Sequence, residues 1–334
     1  MTSLSIGDMA QFFNLRNQTA RLQYRLDDSL TELGSGEVAD LSSHMRGNFS
    51  RISGIEHDLE LLDGYLATSK TAKVLLDAQA VSFEKARSYA HDLGMSLIEA
   101  AQSADDNLKS ATLKKGRSDF NSIISALNVQ SSGRSLFSGD ATNVRPFNDP
   151  EVILASLETY LSSEVDADGV WTAAETWFSA GGGYETVAYQ GSDVPLGAIS
   201  VAPGERVLVD LSGHSPEVRD LVRLHALAAV LDRGTLNLID AEQRNLMSSV
   251  GEGLVNSDRE LIYKQAEIGV QQERIDMLLS QESSRRFSLL ETRKGMVSVD
   301  VDEVVVNISE LKIRLESVYA ATARVSNLSL VNFL

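Results

Sequence analysis

The stretch that decides the fold runs from residue 52 to residue 108 and reads ISGIEHDLELLDGYLATSKTAKVLLDAQAVSFEKARSYAHDLGMSLIEAAQSADDNL. Counted from Ile52 in alternating steps of three and four residues, its positions hold mostly apolar or small side chains. The departures are Ser69, Lys73, Arg87 and Gly94. A stripe this persistent is typical of a coiled-coil seam. It predicts one helix of about 50 residues, about 75 Å long, and a shorter helix after it.

A second set of helices is predicted in the last third of the chain. Ser215 followed by Pro216 is a typical helix start, and Ser257 with Glu260 has the spacing of a capping box that opens another helix. This helix is expected to stop at Arg293-Lys294-Gly295, where basic residues precede a glycine. The apolar residues of its seam are separated by multiples of seven positions, and the polar Glu282 is the one break. The apolar residues are Leu254, Leu261, Ile268, Ile275 and Leu289.

The final helix has the most regular seam in the chain. Asp300, with Glu303 three residues later, is expected to cap this helix. The seam positions are Val301, Val304, Ile308, Leu311, Leu315, Val318, Thr322 and Val325. A partial second stripe follows another face of the helix at Val306, Ile313 and Ala320. Two apolar stripes predict that the helix packs against more than one neighbour.

The middle of the chain differs in composition from both arms. All five prolines fall between residues 146 and 216, so the flanking stretches are free of this helix breaker. A short helix is expected from Pro150 to Tyr160, and candidate strands are Thr186–Tyr189, Ala198–Val201 and Arg206–Leu211. The predicted fold is mainly α, a long antiparallel helical bundle or coiled coil formed by the N- and C-terminal arms, with a small α/β-mixed inserted domain. The expected segments are an N-terminal coiled-coil segment (1–40), two halves of a helical rod domain (41–142 and 216–297), an inserted outer domain (143–215) and a C-terminal coiled-coil segment (298–334).

Both ends of the chain are unusually apolar. Asp8 is the only charged side chain from Met1 to Leu15, and Arg324 is the only one from Tyr319 to Leu334. Ordering a helix costs about 1–2 kcal/mol of backbone entropy per residue, and a single seam buries only about two positions in seven. We therefore expect the terminal helices to become ordered when they dock into a polymer. The expected assembly interface consists of Ile6, Met9, Phe12, Phe13, Leu26, Leu30, Leu33, Val304, Ile308, Leu311, Leu315, Val318, Val325, Leu328, Leu330, Phe333 and Leu334.

Charge and composition exclude several classes of function. The net charge of −17 is opposite to the basic surface that a nucleic-acid-binding protein uses. The chain has no cysteine, so disulfides and thiolate metal sites are excluded. The histidines show no metal-ligand spacing, and neither a catalytic serine elbow nor a phosphate-binding loop is present. We expect no enzymatic activity, no cofactor and no membrane insertion.

One acidic stretch resembles a calcium-binding loop. Glu164, Asp166, Asp168 and Glu175 occupy positions of that template that supply oxygen ligands, and Gly169 occupies its sharp turn. The first ligand is Glu where Asp is typical, and no second loop follows. The simpler interpretation is an acidic turn between two helices, and calcium binding stays open as the alternative.

Four segments carry a resemblance to a known family. They read LDDSLTELGSG (26–36), FEKARSYA (83–90), RSLFSGDATNVRPF (134–147) and VYAATARVSNLSLVNFL (318–334). These segments resemble the bacterial flagellin family, and within it the hook–filament junction proteins called hook-associated protein 3. The third segment contains the family signature Leu136-Phe137-Ser138-Gly139. The chain departs from the family at residues 38–47, where an Asp-Asp-Pro-Ala-Gly turn is usual.

The resemblance implies a structural subunit that forms the junction ring between hook and filament and self-assembles through its terminal helices. The implied partners are other copies of the chain, the first hook-associated junction protein, flagellin, the flagellar type III export apparatus and an export chaperone. The implied location is the extracellular flagellum, reached without a cleaved signal peptide. Two alternatives stay open, namely flagellin, the major filament subunit, and a coiled-coil scaffold with a calcium-binding insert.

Overall fold

The computed structural model describes residues 6–209 and 211–331, and it confirms a mainly α fold with a small mixed insert. The arm helices are α1 (Ile6–Ser35), α2 (Leu41–His44), α3 (Ser50–Gln102), α4 (Asp106–Leu127), α7 (Pro216–Arg233), α8 (Asp240–Val297) and α9 (Val301–Val331). The insert carries helices α5 (Pro150–Leu161) and α6 (Ala167–Trp177) and one π-helical turn (Tyr184–Ala188). The strands are β1 (Gln130–Ser131), β2 (Arg134–Ser135), β3 (Ala198–Ala202) and β4 (Glu205–Leu208).

The chain divides into two compact units. One unit comprises Met1–Leu62 and Ser284–Leu334, and the other comprises Asp63–Ser283. The long helices α3 and α8 therefore each contribute to both units.

In the larger unit, α3 and α8 run antiparallel in a regular register. Polar pairs join them at Lys73–Asp276 (2.8 Å), Asp77–Gln272 (2.7 Å), Glu84–Gln265 (2.6 Å) and Arg87–Asp258 (3.2 Å). The two helices approach closely at Gly94 and Gly251, because a Cβ atom on Gly251 would lie 2.9 Å from the carbonyl oxygen of Gly94. Lys73 and Arg87 interrupt the apolar seam because their side chains pair with carboxylates of α8. Gly94 interrupts it because a glycine there lets the two helices approach closely.

The core of this unit lies where α4 and α7 pack together. Every residue of α7 from Leu221 to Leu231 is buried, which is the pattern of a helix enclosed on all sides. Gly116 of α4 allows close packing, since a Cβ atom there would lie 3.0 Å from the Cβ atom of Ala228. His225 is fully buried on α7, and its Nδ1 donates to the carbonyl of Leu221 at 2.8 Å.

Several predicted boundaries are corrected by the structure. The predicted helix start at Ser257 is wrong, because α8 is continuous from Asp240. Leu246, Met247, Val250 and Leu254 are buried before that point, so packing carries the helix through the local capping signal. The predicted stop at Arg293-Lys294-Gly295 is also wrong. The helix continues to Val297, whose side chain is buried and whose carbonyl accepts a hydrogen bond from the Val38 amide at 2.8 Å.

In the structure, the seam of α3 ends earlier than the sequence pattern predicts. The helix ends at Gln102, so Ala104 lies in the connection to α4 and Leu108 lies on α4. Asp105 produces this break because its side chain accepts a hydrogen bond from the Asn107 amide and so caps α4.

The insert confirms the predicted helix and the strand Ala198–Val201, confirms the strand Arg206–Leu211 only as far as Leu208, and contradicts the third strand. β3 and β4 pair antiparallel, with Ile199 opposite Val207. The predicted strand Thr186–Tyr189 is wrong, because Tyr184–Ala188 form a π-helical turn and only Tyr189 makes an isolated bridge, to Phe147. Burial explains the difference. Tyr184 is fully buried, its hydroxyl donates to the carbonyl of Gly213, and its ring stacks on that of Tyr189.

Candidate assembly interface

The terminal helices α1 and α9 form an antiparallel pair within the smaller unit. At one end, the Val38 amide donates to the carbonyl of Val297 at 2.8 Å, and the Val299 amide donates to the carbonyl of Gly36 at 3.1 Å. Further along, Gln23 Nε2 donates to the Tyr319 hydroxyl at 2.9 Å. Residue numbers therefore decrease along α1 as they increase along α9, which establishes the antiparallel direction.

From Val304 to Thr322 the predicted seam of α9 faces into this pair, whereas its first residue, Val301, is exposed and departs from the prediction. Val304, Ile308 and Leu311 are 5%, 6% and 2% exposed, and Leu315 and Val318 are half-buried. On α1 the matching inward residues are Leu15, Thr19, Leu22, Leu26 and Ser29. Burial is greatest near the bonded ends of the helices and falls along the pair. Six of the predicted interface residues, Leu26, Val304, Ile308, Leu311, Leu315 and Val318, are thus engaged inside the molecule.

The remaining described apolar residues of the predicted interface point outward. Phe12, Phe13, Leu30 and Leu33 are exposed on α1. On α9, the second stripe is exposed, with Val306 at 59% and Ile313 at 64%. We call the residues Phe12, Phe13, Tyr24, Leu30, Leu33, Val301, Val305, Val306, Ile313 and Tyr319 the outer apolar surface.

Sequence reasoning missed part of this surface. Tyr24 is 72% exposed on α1, and Val305 and Tyr319 are exposed on α9. A helical wheel of α1 with Leu22 and Leu26 facing inward would have placed Tyr24 on the opposite side. Of the other predicted residues, Ile6, Met9, Val325, Leu328 and Leu330 lie on α1 or α9 without described side chains, and Phe333 and Leu334 lie outside the described residues.

A cleft opens between α1 and α9 beside the outer apolar surface. It has a volume of about 440 Å³ and is lined by Phe12, Arg16, Thr19, Ala20, Gln23, Tyr319 and Thr322. Arg16 forms no ion pair with any residue in the ranges 10–209 and 211–324, where side chains are described. The cleft thus offers an aromatic wall and a cation to a neighbouring side chain.

The bonded end of the smaller unit is held by charge as well as by backbone pairing. Arg293 of α8 lies 2.7 Å from a carboxylate oxygen of Glu37 and 3.6 Å from one of Glu56. The hydrogen bond that Arg293 donates to the Glu37 carboxylate raises the pKa of the guanidinium, and the negative charges of Glu37 and Glu56 add to this effect. His44 Nε2 lies 3.2 Å from the carbonyl oxygen of Met296. These contacts fasten Glu37, His44 and Glu56 to the last turns of α8.

The signature Leu136-Phe137-Ser138-Gly139 is buried in the larger unit. Gln79 of α3 donates to the carbonyl of Leu136 at 2.7 Å, and the Gly213 amide donates to that of Phe137 at 2.7 Å. The Ser192 amide donates to the carbonyl of Ser138 at 2.9 Å. One short segment therefore connects the first arm, the insert and the approach to α7. The signature is a packing junction and does not belong to the outer apolar surface.

The acidic stretch of the insert forms the turn before α6 and part of that helix. Asp166 caps α6 by accepting a hydrogen bond from the Gly169 amide at 2.7 Å. Glu175 accepts a hydrogen bond from Trp171 Nε1 at 2.9 Å and lies on the helix beyond the cap. Within the described ranges, no three His, Asp or Glu side chains come together as metal ligands. Glu164 lies in the turn before α6, Asp166 caps this helix, Asp168 lies in its first turn and Glu175 in its last turn. Calcium binding by this stretch stays an untested alternative.

The fold defines a class of protein: a mainly helical chain whose two arms run antiparallel, whose terminal helices pair, and whose middle carries a small mixed module. Within residues 6–209 and 211–331, none of the helices has both the length and the apolar character that crossing a membrane requires.

Comparison with known proteins gives matches among solved structures alone. No family model matches the chain, and no curated protein does. The chain is similar to a Vibrio parahaemolyticus protein described as a flagellar hook-associated protein, with 13% identity over 73% of this chain and 94% of that one, and a TM-score of 0.48. It is also similar to FlgL of Bacillus cereus, with 13% identity over 72% of this chain and 100% of that one, and a TM-score of 0.46.

Proposed function

We propose that this chain is a structural subunit of the bacterial flagellum that forms the junction ring between hook and filament. The observation that carries the proposal is the outer apolar surface of the α1–α9 pair, combined with the four segments that resemble the flagellin family. A pair of helices that has buried its own seams and still exposes phenylalanine, tyrosine, isoleucine and valine is built to be covered by neighbours.

The energetic argument concerns apolar area. Burying apolar surface contributes roughly 25 cal/mol per Å², and Phe13 and Ile313 expose 63% and 64% of their area. Within the pair, only the inward face of each helix is covered. Contact with neighbouring copies would bury the outward faces as well, so that assembly and full ordering of the terminal helices stabilise each other.

The proposed partners follow from the resemblance. They are other copies of the chain, the first hook-associated junction protein on one side and flagellin on the other. Export would use the flagellar type III apparatus, with a chaperone on the C-terminal helix before assembly. The proposed location is the extracellular flagellum. The role proposed for the chain is structural and includes no catalysis.

Deletion of the gene tests the proposal. A strain without the junction subunit should keep its hooks, lose its filaments and release flagellin into the medium. Capped hooks with no secreted flagellin would identify the chain as the filament subunit, and an unchanged flagellum would contradict both functions.

Complementation connects this test to the outer apolar surface. The wild-type gene should restore filaments, and Phe13→Asp should not, because the charge prevents apolar contact with a neighbour. Val165→Asp is a matched control, since Val165 is 68% exposed on the insert. It should complement fully. Equal complementation by both variants would remove the outer apolar surface from the assembly mechanism.

A further inference from the structure

A second exposed stripe lies on α8, in the larger unit. In alternating steps of four and three residues, the outward positions are Arg259, Tyr263, Ala266, Val270 and Glu273, and all five are exposed. Tyr263 is 74% exposed and Val270 is 60% exposed. The opposite face of the helix carries the buried seam at Leu261, Ile268 and Ile275. The helix therefore has two apolar faces, and the molecule itself covers one of them.

The charges at the ends of this stripe are opposite in sign. The side chains of Arg259 and Glu273 form no hydrogen bond or ion pair with any residue whose side chain the structure describes (10–209 and 211–324). They are about 21 Å apart along the helix, so they cannot reach each other within one chain. Many other exposed charges on the long helices are paired, as in Lys73–Asp276.

The order of these residues is self-complementary. If two copies of α8 lie antiparallel with Ala266 against its own counterpart, Tyr263 of each copy lies beside Val270 of the other. Arg259 then lies beside Glu273 of the other copy, twice. Antiparallel helix contacts have these features: a small residue at the centre, an aromatic–aliphatic pair on either side, and opposite charges at the ends.

The surface beside Val270 has room for the tyrosine ring. A cavity of about 350 Å³ lies between α8, α3 and β4, and Val270 lines it together with Leu208, Leu211 and Ile268. Leu208 is itself 55% exposed. A Tyr263 ring from a second copy would meet apolar side chains on both walls of this cavity.

From these features we infer that α8 pairs with a second copy of this chain in a two-fold antiparallel contact centred on Ala266. Such a contact uses the same patch on both copies and closes at two subunits. It is distinct from contacts of α1 and α9 that propagate a ring. The inference goes beyond the proposed function, and the two can fail separately.

A single cysteine tests the register, because the chain contains none of its own. Ala266→Cys in the full chain places two thiols at the centre of the contact. Met277→Cys is the matched control, since Met277 is exposed on the same helix but would lie about 33 Å from its counterpart in this register. Mild oxidation should link Ala266→Cys at least about tenfold faster than Met277→Cys. Equal rates would overturn the inference.

Charge reversal tests the pairing independently of the disulfide. In the Ala266→Cys chain, Arg259→Glu should slow linkage about tenfold, since it replaces two attractions with two repulsions. Adding Glu273→Arg should restore the rate, and no contact within one chain can produce that rescue. A double variant as slow as the single one would overturn the inference. The outer apolar surface on α1 and α9 contains none of the residues substituted here. The complementation test of that surface is therefore unaffected.

Discussion

Gly139 shows how a single residue secures the signature segment. Its φ of +64° lies in the left-handed region that glycine adopts without strain. A Cβ atom there would collide with the carbonyl oxygen of Val194 and lie 2.7 Å from that of Ser192. Gly139 is therefore required both for its backbone conformation and for its lack of a side chain. The neighbouring Gly133 has a φ of +75° and open space around it.

These two glycines give a matched prediction. Gly133→Ala should lower the free energy of unfolding by about 1–2 kcal/mol, the cost of the left-handed conformation alone. Gly139→Ala should cost clearly more, because the backbone of residues 192–194 must also move. Urea unfolding of both variants measures the difference. Equal destabilisation would contradict the role assigned to close packing at Gly139.

His225 leads to a prediction about pH. Burial lowers the pKa of this histidine from 6.5 to about 4, and the charge of Lys115 acts in the same direction. In the unfolded chain the ring takes up a proton below about pH 6.5, while in the folded chain it stays neutral. The unfolded state therefore binds more protons between pH 6.5 and 4, and stability falls as the pH falls through that window.

The measurement compares how steeply the free energy of unfolding changes with pH in the wild type and in two variants. Between pH 6.5 and 4, His225 should make the free energy of unfolding of the wild type fall by up to about 1.4 kcal/mol per pH unit. This part of the pH dependence should be missing in the His225→Gln variant. His57→Gln, at an exposed histidine of α3, is the control and should keep the wild-type slope. A wild-type slope in His225→Gln would mean that burial of this ring does not couple folding to pH.

At the scale of elements, α9 shows the division between internal and external packing. Ile308 is 6% exposed in the seam with α1, and Ile313 is 64% exposed on the outward face. The two isoleucines are on one helix and differ only in direction. Sequence periodicity predicted both stripes, and the structure decides which of them is used within the molecule.

Alanine substitution separates these roles. Ile308→Ala should lower the stability of the α1–α9 pair by about 2–5 kcal/mol, the usual range for a buried isoleucine. Ile313→Ala should change it by less than about 0.5 kcal/mol and should instead slow assembly. Thermal unfolding by circular dichroism measures the first effect, and light scattering measures the second. The assignment of faces is wrong if the two variants behave alike.

The elements also show where prediction from sequence succeeds. The seam of α3 from Ile52 to Ala101, the helix start at Pro216 and the cap at Asp300 are confirmed, because each depends on local periodicity or on one side chain. The extent of α8 and the π-helical turn at Tyr184 were mispredicted. Both depend on burial against residues distant in sequence, such as Val38 and Gly213.

For the whole molecule, the two units differ in how their helices are covered. In the larger unit, α7 is enclosed on all sides. In the smaller unit, α1 and α9 cover one face of each other, and half-buried side chains such as Leu22, Leu26 and Val318 line much of the seam. The free energy needed to open a helix locally rises with the number of buried apolar contacts that it makes, so the terminal helices should open more readily than the core.

Hydrogen exchange of the dilute full-length chain measures this difference. Amides of α1 and α9 should exchange at least about tenfold faster than those of α7, and they should become protected when the chain assembles. The same experiment tests the expectation that the ends become fully ordered by docking. Protection of α1 in the monomer equal to that of α7 would contradict it.

The sequence by itself determined the helical class, the two arms, the position of the insert and the seams, because heptad spacing and proline placement act locally along the chain. The tertiary structure alone decided that α1 and α9 bury one stripe against each other and leave the second exposed, and that Leu136–Gly139 forms a packing junction. The physical reason is that periodicity shows which residues avoid water. Only the arrangement of distant segments shows what covers them.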